Sequence, residues 1–274
     1  MNSTSTSSLS IGVFDSGLGG LTVVRAIREQ LPNERICYLG DNARVPYGTR
    51  SPKTIQRYAK NCAEFLLKQG PKMLVVACNT VSAVALPTLR AMTDIPVIGV
   101  IEAGAQAVAT SGARRIGVIG TQGTIGSNAY VEKIRAAAPH CLVYQKATPL
   151  FVPLAEEGWI GGEVPEAVAR HYLESLTRKE IDLLLLGCTH YPILADTLRR
   201  ALTTLCSKAT VVDSASSMAA SVSHILTEKK MLAPAAAEPA SFECFVTDLP
   251  ATFEEVASRF LGVPPGVTKQ IDIS

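Results

Sequence analysis

Short apolar segments that alternate with longer amphipathic segments limit most strongly what this chain can fold into. Each apolar segment is brief, rich in Val, Ile or Leu, and bounded by polar, Gly or Pro residues, as buried strands are. The predicted strands are Ile11–Phe14, Arg35–Leu39, Met73–Ala77, Pro96–Val100, Arg115–Ile119, Cys141–Tyr144, Ile181–Leu186 and Thr210–Val212. The predicted helices are Leu21–Leu31, Pro52–Gln69, Val81–Met92, Thr124–Ala138, Pro165–Thr177 and Ile193–Cys206. Alternation at this spacing predicts an α/β fold with parallel sheets covered by helices on both faces.

The two ends of the chain depart from this alternation. Met1–Ser10 holds mostly Ser, Thr and Asn, with no charged side chain and no apolar core, and predicts a flexible tail rather than a secretory signal. Thr227–Ala240, with two prolines and an alanine run, predicts a linker. Phe242–Val246 and Ala251–Leu261 then predict a last strand and a last helix.

An internal repeat indicates how the strands are grouped. Three short segments recur in the same order at a nearly constant offset, which predicts two related halves. The matched pairs are Ile11–Ser16 with Ile116–Thr121, Arg44–Pro46 with Phe151–Pro153, and Val76–Thr80 with Leu186–His190. We expect two pseudo-symmetric three-layer α/β domains with the active site in the cleft between them. Residues 11–101 and 213–274 would form the first domain and residues 102–212 the second.

The composition limits the kinds of partner and the cellular compartment that we expect for the chain. The chain has 274 residues, 47% of them hydrophobic, and a formal net charge of +2 without a long Lys/Arg run, which predicts neither a nucleic-acid nor a membrane partner. Its seven cysteines form no CxxC pair, and an odd number at wide spacing is not typical of a disulfide framework. Four histidines, none at metal-ligand spacing from a cysteine, predict no metal site. We therefore expect a cytoplasmic protein that needs neither metal nor cofactor.

Polar side chains follow four predicted strands at the point where each strand ends. Because ligands gather beyond the carboxyl ends of parallel strands, these side chains are candidate binding residues. The segments are Asp15–Gly17, Cys78–Thr80, Gly120–Gly123 and Cys188–His190. If the two halves face each other, Cys78 and Cys188 occupy equivalent places on opposite sides of one cleft.

The two cysteines at strand ends suit one chemistry. Racemising an amino acid removes a proton from one face of the α-carbon and delivers a proton to the other, which two opposed acid/base groups can do. A thiol titrates near neutral pH, so one cysteine can be a thiolate while its partner stays protonated. A lone cysteine is more often a small buried hydrophobe, which is the interpretation for the other five. Those five are Cys37, Cys62, Cys141, Cys206 and Cys244.

Each remaining candidate also has a structural interpretation. Asp15 begins a glycine-rich turn that matches neither GxGxxG nor GxxxxGK[ST], and it either caps a helix or assists a thiol. Residues 46–48 form either a simple turn or a substrate contact. His190 is either a satisfied histidine or a proton carrier beside Cys188. Glu156 belongs, by the simpler interpretation, to an exposed charge pair on a short helix.

Several segments together resemble the glutamate racemase family, within the aspartate/glutamate racemase superfamily. The likeness runs from about Ile11 to Leu261, and the ordered set is far more specific than any one segment. The segments are Val13–Leu21, Asp41–Asn42 with Pro46–Gly48, Ala77–Thr80, Pro149–Leu154 and Leu186–Pro192. The resemblance implies a cofactor-independent isomerase that interconverts L- and D-glutamate and supplies D-glutamate for peptidoglycan.

The resemblance also implies roles for individual residues. Cys78 corresponds to the cysteine that handles the α-proton of the D-enantiomer, and Cys188 to the one that handles that of the L-enantiomer. Asp15 resembles the residue that assists the first cysteine, and His190, with Glu156, the residues that assist the second. The residues that resemble substrate-binding positions are Asp15, Ser16, Pro46, Tyr47, Gly48, Asn79, Thr80, Thr121, Thr189 and His190.

Three other functions compete with this interpretation. Aspartate racemases resemble the chain at both cysteines but tend to carry Glu after the second Cys-Thr, where this chain has His190. A non-catalytic α/β ligand-binding module would keep both cysteines as structural residues, and a thiol redox protein would be expected to carry CxxC. The chain also departs from many glutamate racemases at Thr148, where they carry a cysteine. Its oligomeric state, a homodimer included, is open.

Overall fold

Two separate parallel sheets organise the computed structural model, which describes residues 6–236 and 240–273. In chain order the strands are β1 (Ile11–Asp15), β2 (Ile36–Gly40), β3 (Met73–Val76), β4 (Val97–Gly99), β5 (Arg115–Gly120), β6 (Leu142–Ala147), β7 (Leu183–Gly187), β8 (Thr210–Asp213), β9 (Phe242–Val246) and β10 (Thr268–Gln270). The helices are α1 (Leu21–Gln30), α2 (Pro52–Lys68), α3 (Asn79–Val84), α4 (Leu86–Arg90), α5 (Val100–Ser111), α6 (Gln122–Gly126), α7 (Ala129–Ala137), α8 (Phe151–Glu156), α9 (Glu163–Thr177), α10 (Ala195–Thr204), α11 (Ser214–Glu228) and α12 (Phe253–Leu261).

One strand order occurs in both sheets. The first sheet has the order β10-β9-β2-β1-β3-β4 and the second β6-β5-β7-β8, so the second matches the last four strands of the first. In the first sheet Ile11 pairs with Ile36 and Met73, and the equivalent Ile116 pairs with residues of β6 and β7. The predicted fold of two α/β halves with parallel sheets is confirmed. The strands of the second sheet lie within residues 115–213, while the predicted domain boundaries stay a prediction.

Helices cover both faces of each sheet because side chains alternate along the strands. Val13 of β1 belongs to one buried apolar cluster with Val24 of α1, whereas its neighbour Phe14 belongs to another with Ala59 of α2. In the second sheet Val118 clusters with residues of α5 and α7, and the next residue, Ile119, with residues of α9 and α10. The cluster that holds Ile119 also holds Val13, so the two halves share one buried core.

The structure divides two predicted helices and adds two others. The predicted helix Val81–Met92 is observed as α3 and α4, and Pro87 lies in the first turn of α4. The predicted helix Thr124–Ala138 is observed as α6 and α7, separated at Asn128, whose φ of 57° is left-handed. The sequence analysis does not predict α5, α11 or the short strand β10. The predicted linker begins inside α11, and residues 237–239 within it lie outside the described residues.

A buried ion pair lies near the amino end of β3. Lys72 Nζ is 2.5 Å from Glu34 Oε2, and both side chains are almost completely buried. Lys72 Nζ also donates to the backbone carbonyl oxygens of Ser7 at 2.9 Å and Met231 at 2.7 Å. The pair therefore joins the start of the described chain to the end of α11, and residues 1–5 of the predicted tail lie outside the described residues. No helix in the described ranges is both long enough and apolar enough to cross a membrane.

Candidate active site

A cavity of about 380 Å³ lies at the carboxyl ends of strands from both sheets. Parallel strands direct the residues that follow them to one edge, so the segments after β1, β3, β5 and β7 converge here. The lining residues are Ser16, Gly17, Val45, Pro46, Tyr47, Gly48, Thr49, Cys78, Asn79, Thr80, Thr121, Gln122, Pro149, Val152, Pro153, Glu156, Cys188, Thr189 and His190. Both cysteines that the internal repeat brings into equivalent positions therefore open onto one cavity.

Cys78 follows β3 and precedes the first turn of α3. Its Sγ–H donates to Ser16 Oγ at 3.3 Å. Burial, together with the negative charge of Asp15, raises the pKa of the Cys78 thiol to about 12. Hydrogen bonds between Cys78 and Ser16, and between Cys78 and the backbone of Val81, oppose this rise only in part. The Cys78 thiol therefore carries its proton at neutral pH, as a group that delivers a proton must.

Asp15 ends β1 and lies behind the cavity lining, which does not include it. The backbone N–H of Gly17 donates to Asp15 Oδ2 at 3.0 Å, and Thr189 Oγ1 donates to Oδ1 at 3.5 Å. Burial raises the pKa of Asp15, while the charge of His190 and backbone hydrogen bonds partly oppose the rise. Asp15 thus contacts the segment that carries Cys188. Its predicted contact with substrate stays a prediction.

The turn after β1 presses directly against the second half. A Cβ atom at Gly19 would lie 2.5 Å from His190 Nδ1 and from Thr189 Oγ1, which is closer than such atoms approach one another. Thr22 Oγ1 donates to the backbone carbonyl of Thr189 at 2.9 Å. Glycine is therefore required at position 19 for the first half to hold the segment after β7 in place.

Cys188 follows β7 and has an imidazole as its neighbour. Its Sγ lies 3.8 Å from His190 Nδ1, and His190 Nε2 lies 3.0 Å from Glu156 Oε1 at the end of α8. Burial alone would lower the pKa of His190, but interactions with Cys188 and Glu156 outweigh burial and raise the pKa to about 10. At neutral pH His190 is therefore a cation, 3.8 Å from the sulfur of Cys188.

Neutral polar groups complete the cavity wall. Thr80 Oγ1 of the first half lies 3.2 Å from Thr121 Oγ1 of the second. The hydroxyl of Tyr130 donates to Asn79 Oδ1 at 2.7 Å. Asn79 Nδ2 is buried and has no hydrogen-bond partner among the described residues. Amide and hydroxyl donors of this kind suit the carboxylates of a small acid.

The loop after β2 supplies the third side of the cavity. Tyr47 lines the cavity, and its hydroxyl donates to the buried carboxylate of Asp41. Arg44 Nε donates to the same carboxylate at 2.7 Å, and Thr247 Oγ1 donates to it at 3.0 Å. Burial raises the pKa of Tyr47 well above its ordinary value, so the phenol stays neutral. Asp41 thereby fixes the loop that includes the predicted contacts at residues 46–48.

Comparison with known proteins shows which family the chain belongs to. A family profile described as Asp/Glu/hydantoin racemase matches residues 11–222. A glutamate racemase of Geobacter metallireducens is 48% identical over 264 residues, which is 96% of each chain. The crystal structure of glutamate racemase from Francisella tularensis in complex with D-glutamate has a TM-score of 0.90 at 38% identity, covering 98% of this chain and 99% of that one. The chain belongs to the glutamate racemase family.

A second solved glutamate racemase extends the comparison. The enzyme of Thermus thermophilus, in complex with β-chloro-D-alanine, has a TM-score of 0.86 at 41% identity, covering 97% of this chain and 98% of that one. Membership of the glutamate racemase family confirms the resemblance found in the sequence and makes the chain an isomerase.

The cavity brings together all the predicted site residues except Asp15. Lining residues outside the candidate segments and predicted site residues are Val45, Thr49, Pro149, Val152 and Pro153. Most of these are apolar or lack reactive groups, so their chemistry gives no signal. Several lie inside the segments that carry the likeness to glutamate racemases, and that position is the signal that could have found them.

The cysteines outside the cavity are free thiols, like the two that line it. All seven cysteines lie in the described part of the chain, and each is a free thiol. Within residues 6–236 and 240–273 no three His, Cys, Asp or Glu side chains are placed to hold a metal ion. Thr148, the departure from many glutamate racemases, is fully buried, and its Oγ1 donates to the hydroxyl of Tyr191 at 3.0 Å.

Proposed function

We propose that this chain interconverts L- and D-glutamate by moving a proton at the α-carbon between Cys78 and Cys188. The observation that carries the proposal is that the equivalent strand ends of β3 and β7 deliver both thiols to one cavity. Its similarity to glutamate racemases, one of them solved with D-glutamate, supports glutamate as the substrate. Racemisation inverts a single carbon, so a base on one face and an acid on the other need no rotation of the substrate.

The proton balance follows from the unlike surroundings of the two thiols. In the direction from L to D, the Cys188 thiolate takes the α-proton, and the Cys78 thiol delivers a different proton to the opposite face. The product leaves Cys188 protonated and Cys78 as a thiolate, and proton exchange with solvent restores the starting form. In this scheme Asp15 sets the proton affinity of Cys78, and His190 with Glu156 sets that of Cys188.

Neutral donors are proposed to hold the two carboxylates of glutamate. Within the described part of the chain the lining contains no lysine or arginine, so hydroxyl and amide groups meet the substrate's negative charges. The donors that we assign to this role belong to Ser16, Asn79, Thr80, Thr121 and Thr189. Pro46, Tyr47 and Gly48 are assigned to shaping the wall beside them, and Asp15 and His190 to the substrate's immediate surroundings.

The wider setting is proposed from the family. The D-glutamate would be used in peptidoglycan, and the reaction would take place in the cytoplasm. Residues 11–101 with 213–274, and residues 102–212, are proposed as the two domains that close on the substrate. A homodimer is the oligomeric state proposed for testing, by measurement of the molar mass in solution.

One-way chemistry tests the two-base assignment. A glutamate analogue with a β-leaving group eliminates after a single proton abstraction, so each thiol can be assayed alone. We expect Cys78→Ala to eliminate only from the L-analogue and Cys188→Ala only from the D-analogue. Net racemisation of glutamate, followed by polarimetry, should fall by about 10² to 10⁴ in both variants because each lacks one acid/base group.

A buried cysteine outside the cavity provides the matched control. Cys37 lies in β2 and does not line the cavity, so Cys37→Ala should keep racemisation within about threefold of the wild type. Elimination from the same enantiomer by both active-site variants would contradict the assignment. Faster racemisation of aspartate than of glutamate by the wild-type protein would instead favour aspartate as the substrate.

A further inference from the structure

We propose that Tyr130 is a positioning residue that acts through Asn79 to hold a substrate carboxylate. This inference rests on the proposed function, because it assigns a task to one donor of that same site. Tyr130 belongs to α7 in the second half and does not line the cavity. Asn79 opens α3 in the first half and does line it.

The side-chain oxygen of Asn79 has a hydrogen-bond partner, whereas its side-chain nitrogen has none among the described residues. Its Oδ1 accepts from the Tyr130 hydroxyl at 2.7 Å, which occupies the oxygen with a donor. Its Nδ2 is buried and finds no partner among the described residues, although a buried amide nitrogen normally donates. A carboxylate in the cavity would supply the missing acceptor, and a charged acceptor makes a stronger hydrogen bond than a neutral one.

The Tyr130 hydroxyl determines whether the oxygen or the nitrogen of the Asn79 amide is directed toward the substrate. An amide side chain can turn over, exchanging its oxygen and nitrogen with little change in shape. Burial raises the pKa of Tyr130 far above neutrality, so the hydroxyl keeps its proton and remains a donor. A donor at this position favours the Asn79 oxygen on its side and thereby leaves the Nδ2 donor for the substrate. Without it, the oxygen could turn toward the cavity and repel a carboxylate.

The ring of Tyr130 is itself held by close packing. A Cβ atom at Gly187, directly before Cys188, would lie 2.8 Å from Tyr130 Cε2. A Cβ atom at Gly104 of α5 would lie 3.1 Å from Tyr130 Cε1 and 3.3 Å from its hydroxyl. Tyr130 is completely buried between these segments, so its hydroxyl cannot move far from Asn79. One side chain thus touches the segments that carry both proposed catalytic thiols.

Removal of the single oxygen tests the proposal. Tyr130→Phe keeps the ring and its packing, so we expect the KM for both glutamate enantiomers to rise about 10-fold while kcat stays within about threefold. Tyr172→Phe is the matched control: Tyr172 is another largely buried tyrosine of the second half, it does not line the cavity, and its loss should leave both KM values unchanged.

A double-mutant cycle separates action through Asn79 from a general loosening of the fold. If Tyr130 works through Asn79, the KM of Tyr130→Phe combined with Asn79→Ala should equal that of Asn79→Ala alone. Effects that multiply would overturn the proposal, as would an unchanged KM in Tyr130→Phe. A wild-type protein that does not racemise glutamate would overturn the proposed function instead, so the two failures are distinguishable.

A second variant keeps the test decisive if Tyr130→Phe fails to fold. Gly104→Ala improves helix propensity in α5 and displaces the Tyr130 ring by a few tenths of an ångström without removing the hydroxyl. We expect about a threefold rise in KM that disappears when the variant is combined with Asn79→Ala. A rise that persists in that background would contradict a route through Asn79.

Discussion

The two thiols occupy equivalent strand ends, yet their surroundings differ in charge. Cys78 has the neutral hydroxyl of Ser16 beside it and the buried carboxylate of Asp15 behind it, and its pKa is raised to about 12. Cys188 has His190, which Glu156 helps to keep protonated. The duplicated backbone therefore provides symmetry of position, while the side chains place a buried carboxylate behind one thiol and a cation beside the other.

Racemisation rates alone cannot reveal this difference. The two enantiomers of glutamate have equal free energies, so kcat/KM must be equal in the two directions for the wild type and for every variant. A change near either thiol lowers both directions together. Thiol labelling and one-way elimination are not bound by this equality, so they can measure each thiol separately.

The largest expected effect is in thiol labelling. Iodoacetamide reacts with thiolates, and a thiol whose pKa is about 12 is almost entirely protonated at pH 7.5. We expect Cys188 to be alkylated about 10²-fold faster than Cys78, after allowance for the greater nucleophilicity of a high-pKa thiolate. Peptide-resolved mass spectrometry over time gives both rates from one sample. Equal rates, or faster labelling of Cys78, would show that the proton distribution is not as described.

Loss of the imidazole should affect the two eliminations unequally. His190→Asn removes the cation beside Cys188 but leaves the surroundings of Cys78 nearly unchanged. Elimination from the L-analogue should slow by about 30-fold, which is less than the roughly 10² to 10⁴ for losing an acid/base group because the Cys188 thiol remains, and elimination from the D-analogue by less than about threefold. The ratio of the two rates, measured on the same preparation, cancels errors in active protein. A ratio equal to that of the wild type would show that His190 does not assist Cys188.

Removal of the charge behind Cys78 should make the thiols more alike. The ionised Asp15 raises the pKa of Cys78, so Asp15→Asn should lower that pKa and increase alkylation of Cys78 at pH 8 by about 10-fold. Alkylation of Cys188 provides the internal reference and should change little. Asn retains the shape of Asp and can still accept from the Gly17 N–H. Slower labelling of Cys78 would mean that Asp15 promotes its ionisation rather than opposing it.

The smallest effect is expected at Glu156, which is about half-exposed, with 48% of its side chain accessible. Glu156 raises the pKa of His190, so Glu156→Gln should lower it, and His190 should lose its proton at a lower pH. Elimination from the L-analogue should fall about threefold at neutral pH. The rate of this elimination declines at high pH as His190 loses its proton, near pH 10 in the wild type, and in Glu156→Gln the decline should begin at lower pH. The D-analogue profile should stay in place. Movement of both profiles together would point to a general change in the site.

Local sequence patterns are sufficient for the parts of the site that lie at strand ends. Apolar runs locate β3 and β7, and the residues that follow such strands are confined to one edge of the sheet. Cys78 and Cys188 could therefore be paired from the repeat alone, before any contact was known. The predicted helix Val81–Met92, in contrast, spans two observed helices, because a hydrophobic period does not show that a new helix begins at Leu86 with Pro87 in its first turn.

Features that depend on contacts distant in the chain could not be predicted. α11 is rich in Ser and Ala, so its polar and apolar faces differ little, and it is held by packing against α1 and α5. Tyr130 meets Asn79 across 51 residues of sequence, and the charged pair of Lys72 and Glu34 looks like two ordinary surface residues until the fold buries it. Contacts of this kind leave no repeating pattern in the nearby sequence from which they could be predicted.

The late return of the chain to the first sheet determines the order in which the molecule can be assembled during synthesis. β5 to β8 lie within residues 115–213, so every strand of the second sheet exists before β9 is made. Until then β2 has an open edge, and Asp41 lacks the hydrogen bond from Thr247 that helps to fix the loop at residues 46–48. The second sheet can therefore be complete while the first still lacks β9, and Asp41 gains the hydrogen bond from Thr247 only after β9 has been made.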